Sequence, residues 1–204
     1  MRFFHDTIKK KILILIGHPD SDNTLSSQLA LLYETAAKSA GHEVHTVHLA
    51  QMQFDPILHK GYKVIQELEP DLKHIEAELA WCDHFVVIYP TWWCSMPALL
   101  KGMFDRIWLP GFCFNYYKKG WRQHLHLWKR KMRKKTARVI TLSGSAPLFI
   151  WLLFGGYTNE IARALLWFVG FKVRVTHLGP SEIAPEWKRN EWRRHIIRLG
   201  KMGE

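Results

Sequence analysis

The feature that most limits the fold is the run Lys11-Ile-Leu-Ile-Leu-Ile16, an unbroken apolar stretch in which three residues are isoleucine. A strand with no polar alternation has to be covered on both faces, as happens inside a parallel sheet with helices above and below. Gly17-His18-Pro19-Asp20-Ser21-Asp22-Asn23-Thr24 then interrupts the run with turn formers and helix-capping residues. Leu25, Leu29, Leu32, Ala36 and Ala40 recur at helical spacing up to Gly41, which predicts a helix from about Thr24 to Ala40.

The alternation continues along the chain. His42–Leu49 reads as a second strand, about Asp71 to Trp81 as a helix, and His84–Tyr89 as a third buried strand halted by Pro90. Pro97–Leu109 reads as a helix opening on proline. Ala137–Leu142 is the fourth strand, Asn159–Val169 a helix and Lys172–Leu178 the fifth strand. A last helix is expected from about Pro185, with Trp187, Trp192, Ile196 and Leu199 as its inner face. Five strands alternating with helices imply a parallel α/β sheet with right-handed crossovers, and such sheets bind ligands beyond the carboxyl ends of their strands. The loops after Ile16, Tyr89 and Leu142 are therefore the expected binding loops. The length suits one domain over 1–204, with 1–10 as an N-terminal extension.

Gly17 to Ser26 has the composition of an anion cradle, with backbone N–H groups exposed at a helix start. Thr24, Ser26 and Ser27 add hydroxyls and His18 a ring N–H. The segment lacks both G-x-G-x-x-G and the Gly-Lys-Ser/Thr ending of a Walker loop. A plain capped helix start would use the same residues.

Cys82, Cys94 and Cys113 make an odd, unevenly spaced set, which argues against a disulfide framework or a zinc site and suits a reducing cytosol. Met1 to Lys11 has no secretion-signal pattern, and Leu148–Phe154 is too short to span a bilayer, so a cytoplasmic location is expected. Ten tryptophans would serve either as core fillers or as the walls of a pocket for a flat ring. The net charge of +11, concentrated in 118–138 and 188–201, admits nucleic acid, anionic lipid or a phosphorylated cofactor as a partner.

One block is far more specific. Tyr89-Pro-Thr-Trp-Trp-Cys-Ser-Met-Pro-Ala-Leu-Leu-Lys-Gly-Met-Phe-Asp-Arg106 resembles the flavodoxin-like NAD(P)H:quinone oxidoreductase family, whose motif is an aromatic turn followed by Pro-Ala-x-Leu-Lys-Gly-x-x-Asp-Arg. Pro110-Gly-Phe-Cys-Phe114, Gly17-His18-Pro19, Phe54-Asp55-Pro56 and the turn Leu166–Phe171 match in the same order. The resemblance implies a doubly wound, five-stranded parallel sheet of order 2-1-3-4-5 with helices on both faces. It also implies FAD, with FMN as the alternative, and NAD(P)H as reductant. By the same resemblance Pro90, Thr91, Trp92 and Trp93 line the flavin ring, and His18, Thr24, Leu25 and Ser26 hold its phosphates. Ser143 and Gly144 approach the pyrimidine edge through backbone and hydroxyl hydrogen bonds.

The mammalian members follow this last loop with a tyrosine and a histidine. Here Leu148–Tyr157 supplies Tyr157, the one catalytic candidate, but no histidine. Lys101, Asp105 and Arg106 read as structural, through an Asp105–Arg106 set of ion pairs or a subunit contact, and Cys94 as a small filler. The apolar run Leu148–Phe154 reads as a lid or a subunit interface, and the expected assembly is a homodimer with sites at that interface. Lys118–Lys135 interleaves aromatics with cations, as nucleic-acid and membrane binders do, but carries no complete nucleic-acid motif. It reads as a solvated charge run near the cofactor end that attracts the 2′-phosphate of NADPH, and no nucleic-acid partner is expected. The acceptor is expected to be a small quinone-like molecule. The competing reading is a flavin-binding regulatory subunit that touches a membrane or a transporter through its basic faces.

Overall fold

A computed structural model of the chain describes residues 8–204; most of the expected 1–10 extension lies outside them. The elements run β1 Lys11–Ile16, α1 Leu25–Ser39, β2 Glu43–His48, α2 Pro70–Trp81, β3 His84–Pro90 and α3 Ala98–Ile107. There follow β4 Phe114–Tyr116, the single turn α4 Trp121–His124, β5 Trp128–Arg130, β6 Thr136–Leu142 and α5 Pro147–Phe154. A π-type helix Glu160–Trp167, β7 Lys172–Leu178 and α6 Glu186–Met202 close the chain.

Strands β2-β1-β3-β6-β7 form one sheet, every neighbouring pair parallel. This is the expected 2-1-3-4-5 order once β4 and β5, a separate antiparallel pair, are set aside. Leu13, Leu15, Phe85, Val87, Ala137 and Val139 pack on one side with residues of α2, α3 and the π helix. Ile12, Ile14, Val86, Ile88 and Ile140 pack on the other with α1 and α6. Residues 12–16 are all buried, which is why β1 carries no polar alternation. Each such side chain contributes roughly 1.5–3 kcal/mol of burial.

Thr24 caps α1, its hydroxyl accepting from Ser27 N at 3.2 Å, and Gly41 at φ +85° turns the chain out of the helix. In α3 a Cβ on Gly102 would stand 2.5 Å from the Cβ of Pro56, so the Phe54-Asp55-Pro56 segment packs directly on that helix. Trp192, Ile196 and Leu199 face the core from α6 as predicted, but Trp187 is 67% exposed. It sits in the first turn, ahead of the point where α6 meets α1.

The basic stretch is only partly a solvated run. Trp128 stacks on Phe168 at 4.2 Å and donates from Nε1 to the Phe168 carbonyl at 2.8 Å, and the Arg130 guanidinium lies 3.9 Å from the Trp167 ring centre. Met132 N donates to Val169 O, and Lys135 Nζ to Ala80 O at 2.7 Å. Those carbonyls precede β7 and β3, so the return of this segment lies at the amino edge of the sheet. For Trp128–Lys135 the expectation that the stretch flanks the cofactor end is therefore corrected: a crossover from α3 to the start of β6 has to return to the edge where strands begin.

Candidate functional site

The carboxyl ends of β1, β3, β6 and β7 bring together the loops that begin at Gly17, Thr91, Ser143 and Gly179. In the first loop His18 Nδ1 accepts from Asp20 N at 3.0 Å, which leaves Nε2 to carry the proton and face outward. The ring of His18 meets Trp92 edge-on at 5.8 Å, joining the first loop to the second. The Thr24 hydroxyl is spent on the α1 cap, and Ser27 Oγ donates to Thr24 O at 2.8 Å. What remains for an anion is the pair of orphan amides of the first turn, Leu25 and Ser26, together with the buried Ser26 hydroxyl, which has no partner among the described residues.

The second loop is a tight reversal. Trp92 N donates to Ser95 O at 2.9 Å and Ser95 N to Trp92 O at 3.0 Å. Its two central residues, Trp93 and Cys94, have φ of +50° and +61°. Two successive non-glycine residues in the left-handed region cost on the order of 1 kcal/mol or more each, and such strain concentrates at ligand clamps. The turn holds the Trp93 ring fully exposed and Trp92 half-exposed. Ser95 Oγ donates to Glu160 Oε2 at 2.7 Å and so ties the turn to the start of the π helix. Thr91 N donates to Leu142 O at 2.7 Å, whereas its buried hydroxyl is unpartnered among the described residues.

In the third loop Ser143 is buried and its hydroxyl donates to Ser145 O at 2.8 Å, while Ser143 N and O bond Leu178 O and Ser181 N. The expectation that this hydroxyl reaches a flavin edge is corrected, because its proton goes to the Ser145 carbonyl two residues on in the same loop. Gly144, exposed beside it, presents open backbone.

Tyr157 does reach the site, and the histidine absent from its own loop arrives from β7. The Tyr157 hydroxyl lies 2.8 Å and the Thr141 hydroxyl 3.0 Å from His177 Nδ1, and Thr141 and His177 are register partners on β6 and β7. Burial lowers the His177 pKa, favouring the neutral ring, and burial raises that of Tyr157, keeping its proton on the oxygen. A histidine one residue before the carboxyl end of a strand was a readable signal, but only the pairing of β6 with β7 shows which hydroxyls it meets.

Around this edge lies α5, in which Leu148, Phe149, Trp151, Leu152, Leu153 and Phe154 are each 56–67% exposed and Ile150 alone is buried. Its first turn and Tyr157 and His177 line one cavity of about 290 Å³. A larger apolar cavity, about 650 Å³, lies away from the strand ends, between residues 58–66, α3, β4 and the π helix. Lys101 pairs with Asp105 at 2.7 Å, but Arg106 pairs with Glu69 at 2.8 Å, not with Asp105, which precedes it on a different face of α3.

The family model described as flavodoxin-like fold matches residues 10–196. The chain belongs to that family. Among curated relatives, the rat NAD(P)H dehydrogenase [quinone] 1 is 28% identical over 219 residues, covering 88% of this chain and 76% of the relative. Uncharacterized NAD(P)H oxidoreductases of Haemophilus influenzae and Escherichia coli are each 29% identical, but the chain spans only 52% and 56% of their lengths. The same fold is seen in an NAD(P)H:quinone oxidoreductase from Methanothermobacter marburgensis, with a TM-score of 0.80, 22% identity and coverage of 96% and 100% of the two chains. It recurs in an FMN-dependent NADH-azoreductase from Bacillus anthracis solved with FMN, with a TM-score of 0.74, 16% identity and coverage of 93% and 97%. The buried, unpartnered hydroxyls of Ser26 and Thr91, one at the cradle and one at the reversed turn, fit a flavin's phosphate and ring edge.

Proposed function

We propose that the protein is an NAD(P)H-dependent flavin oxidoreductase that reduces quinones or related acceptors by two electrons. The observation that carries this is the convergence, on one edge of the sheet, of the α1 amide cradle, the left-handed Trp92–Ser95 turn and the Tyr157–His177 pair. The relatives' names support it, since all those cited are oxidoreductases. They lend no support to the transporter-subunit reading.

When bound, a flavin supplies the acceptance of a hydride from NAD(P)H and its delivery to an acceptor. Leu25 and Ser26 bind phosphate through amides and the Ser26 hydroxyl, with His18 Nε2 at the rim. Pro90, Thr91 and Trp92 form the wall against which a planar ring is held, and the Trp93 ring stands free to cover it. Gly144 offers backbone to the polar edge. Holding the ring against this wall is the positioning that a hydride step would chiefly require. Tyr157 holds a proton on its oxygen beside neutral His177, which keeps it aimed and ready to offset charge as a reacting centre gains electrons.

Our reading takes FAD as the flavin, with FMN the alternative. With the basic segment returning at the amino edge, charge gives no reason to favour NADPH over NADH. We further propose a homodimer in which α5 of each protomer is covered by the other, since six exposed apolar side chains on one short helix form a contiguous patch of the kind that marks an interaction surface. Among the described residues no helix is long and apolar enough to cross a membrane.

The test is to identify the heat-released cofactor by mass, then follow bleaching of the bound flavin by NAD(P)H and its recovery with a quinone. A protein that takes up neither FAD nor FMN at micromolar concentration refutes the proposal. Leu152→Asp should convert a dimer into a monomer in light scattering; a monomeric parent protein removes the dimer reading.

A further inference from the structure

At the amino edge of the sheet, opposite the site above, the chain assembles cations that its own acids do not balance. Arg138 on β6 and Arg174 on β7 are register partners on neighbouring strands, an arrangement that like charges oppose. Both reach a single carboxylate oxygen, Glu204 Oε2, Arg174 at 2.8 Å and Arg138 at 3.8 Å. Arg138 is buried, donates weakly to Thr176 Oγ1 at 3.3 Å, and its Nε has no partner among the described residues. His84, 2% exposed, engages Thr136 Oγ1 through Nδ1 at 2.7 Å, while its Nε2 is likewise unpartnered. Lys10 Nζ is committed to the Gly203 carbonyl at the end of α6, so helix capping accounts for one cation of the group and not for the others. These side chains and Lys172 line a cavity of about 230 Å³ that also contains Glu204.

Arg138 Nε and His84 Nε2, both buried and without a partner among the described residues, stand beside the Arg174 and Lys172 cations, a set that suits an anion taking several hydrogen bonds at once. We propose that this cavity is a binding site for a phosphate group, free or carried on a small monoester, held by Arg138, Arg174, Lys172 and His84 Nε2, with the Glu204 carboxylate occupying part of it as an internal competitor. Burial, with Lys10 and Arg138 nearby, pushes the His84 pKa down to about 3, and burial and then Arg174 lower that of Arg138. Both groups therefore gain from an incoming dianion. The site is independent of the flavin reading, since the two lie at opposite edges of the sheet.

The experiment is a titration of the purified protein with inorganic phosphate at fixed ionic strength, read by the His84 imidazole resonances. The expected result is a saturable shift that chloride does not reproduce, with the His84 pKa rising. Arg174→Gln and Lys172→Gln, both at exposed side chains, should each weaken binding about tenfold, the value of one charge-assisted hydrogen bond. Glu204→Gln should tighten it. Phenyl phosphate binding more tightly than inorganic phosphate assigns the site to a monoester, and the reverse assigns it to free phosphate. A shift that does not saturate, that chloride matches, or that survives both Arg174→Gln and Lys172→Gln at full affinity overturns the proposal.

Discussion

The Arg106 anchor offers the sharpest quantitative check on how two sequence motifs cooperate. Arg106, in the last turns of α3, is fully buried. Its guanidinium holds Glu69 through two oxygens at 3.1 and 2.8 Å, donates to Glu67 O at 2.7 Å, and donates also to Asp55 O. The Lys-Gly-x-x-Asp-Arg helix is thereby fastened to the segment that carries Phe54-Asp55-Pro56, one turn from where Gly102 packs on Pro56. Removing one member of a buried pair costs about 3–5 kcal/mol. The Glu69 side chain is 30% exposed and re-solvates when abandoned, so Arg106→Ala belongs at the low end, about 3 kcal/mol. For a chain of this size that lowers the melting temperature by roughly 6–12 °C. The assay is urea unfolding followed by tryptophan fluorescence, with the midpoint falling and the slope unchanged. The Arg106→Ala/Glu69→Ala double variant should be little worse than Arg106→Ala alone, because the pair acts as a unit. A loss below about 1 kcal/mol, the worth of an ordinary surface pair, would refute the argument.

Other outcomes follow from the site and the core. Tyr157→Phe should lower quinone turnover by about 100-fold, the modest end of general acid catalysis, with flavin affinity and melting temperature unchanged, because Thr141 still holds His177; steady-state kinetics on the flavin-loaded protein decides it. Trp93→Gly should leave stability equal or raise it, by relieving a left-handed residue, while weakening flavin binding as measured by fluorescence titration. The folded pKa of His84, about 3 through burial, lies below the ordinary histidine value of 6.5, so on acidification the folded state binds fewer protons than the unfolded chain. Stability should be full above about pH 6.5 and decline toward pH 3 by up to roughly 1.4 kcal/mol per pH unit, and His84→Gln should flatten that limb in chemical denaturation at stepped pH. Hydrogen bonds from Arg106 and the Asp55 amide outweigh burial and lower the Glu69 pKa; its contribution, present above the ordinary glutamate value of 4.5, is therefore lost only at more acidic pH.

The residues alone determined the parallel α/β sheet, its five strands and the loops that matter, because those properties are local. An apolar run without alternation has to be buried on both faces, a capped start has to open a helix, and alternation of the two restricts the sheet to one class of topology. Pro90–Arg106 likewise located the reversed aromatic turn, since a proline-bounded turn is written in consecutive residues. What only the tertiary structure decided were the pairings between distant segments. His177 joins Tyr157 because β7 lies beside β6, Arg106 turns to Glu69 instead of Asp105 because α3 packs on the Phe54-Asp55-Pro56 segment, and the basic stretch leaves the cofactor edge because its chain must return to the start of β6. The Ser143 backbone is held by Leu178 O and Ser181 N for the same reason. Each of these is a choice among several chemically adequate partners, and distance in space, which no local pattern encodes, makes it.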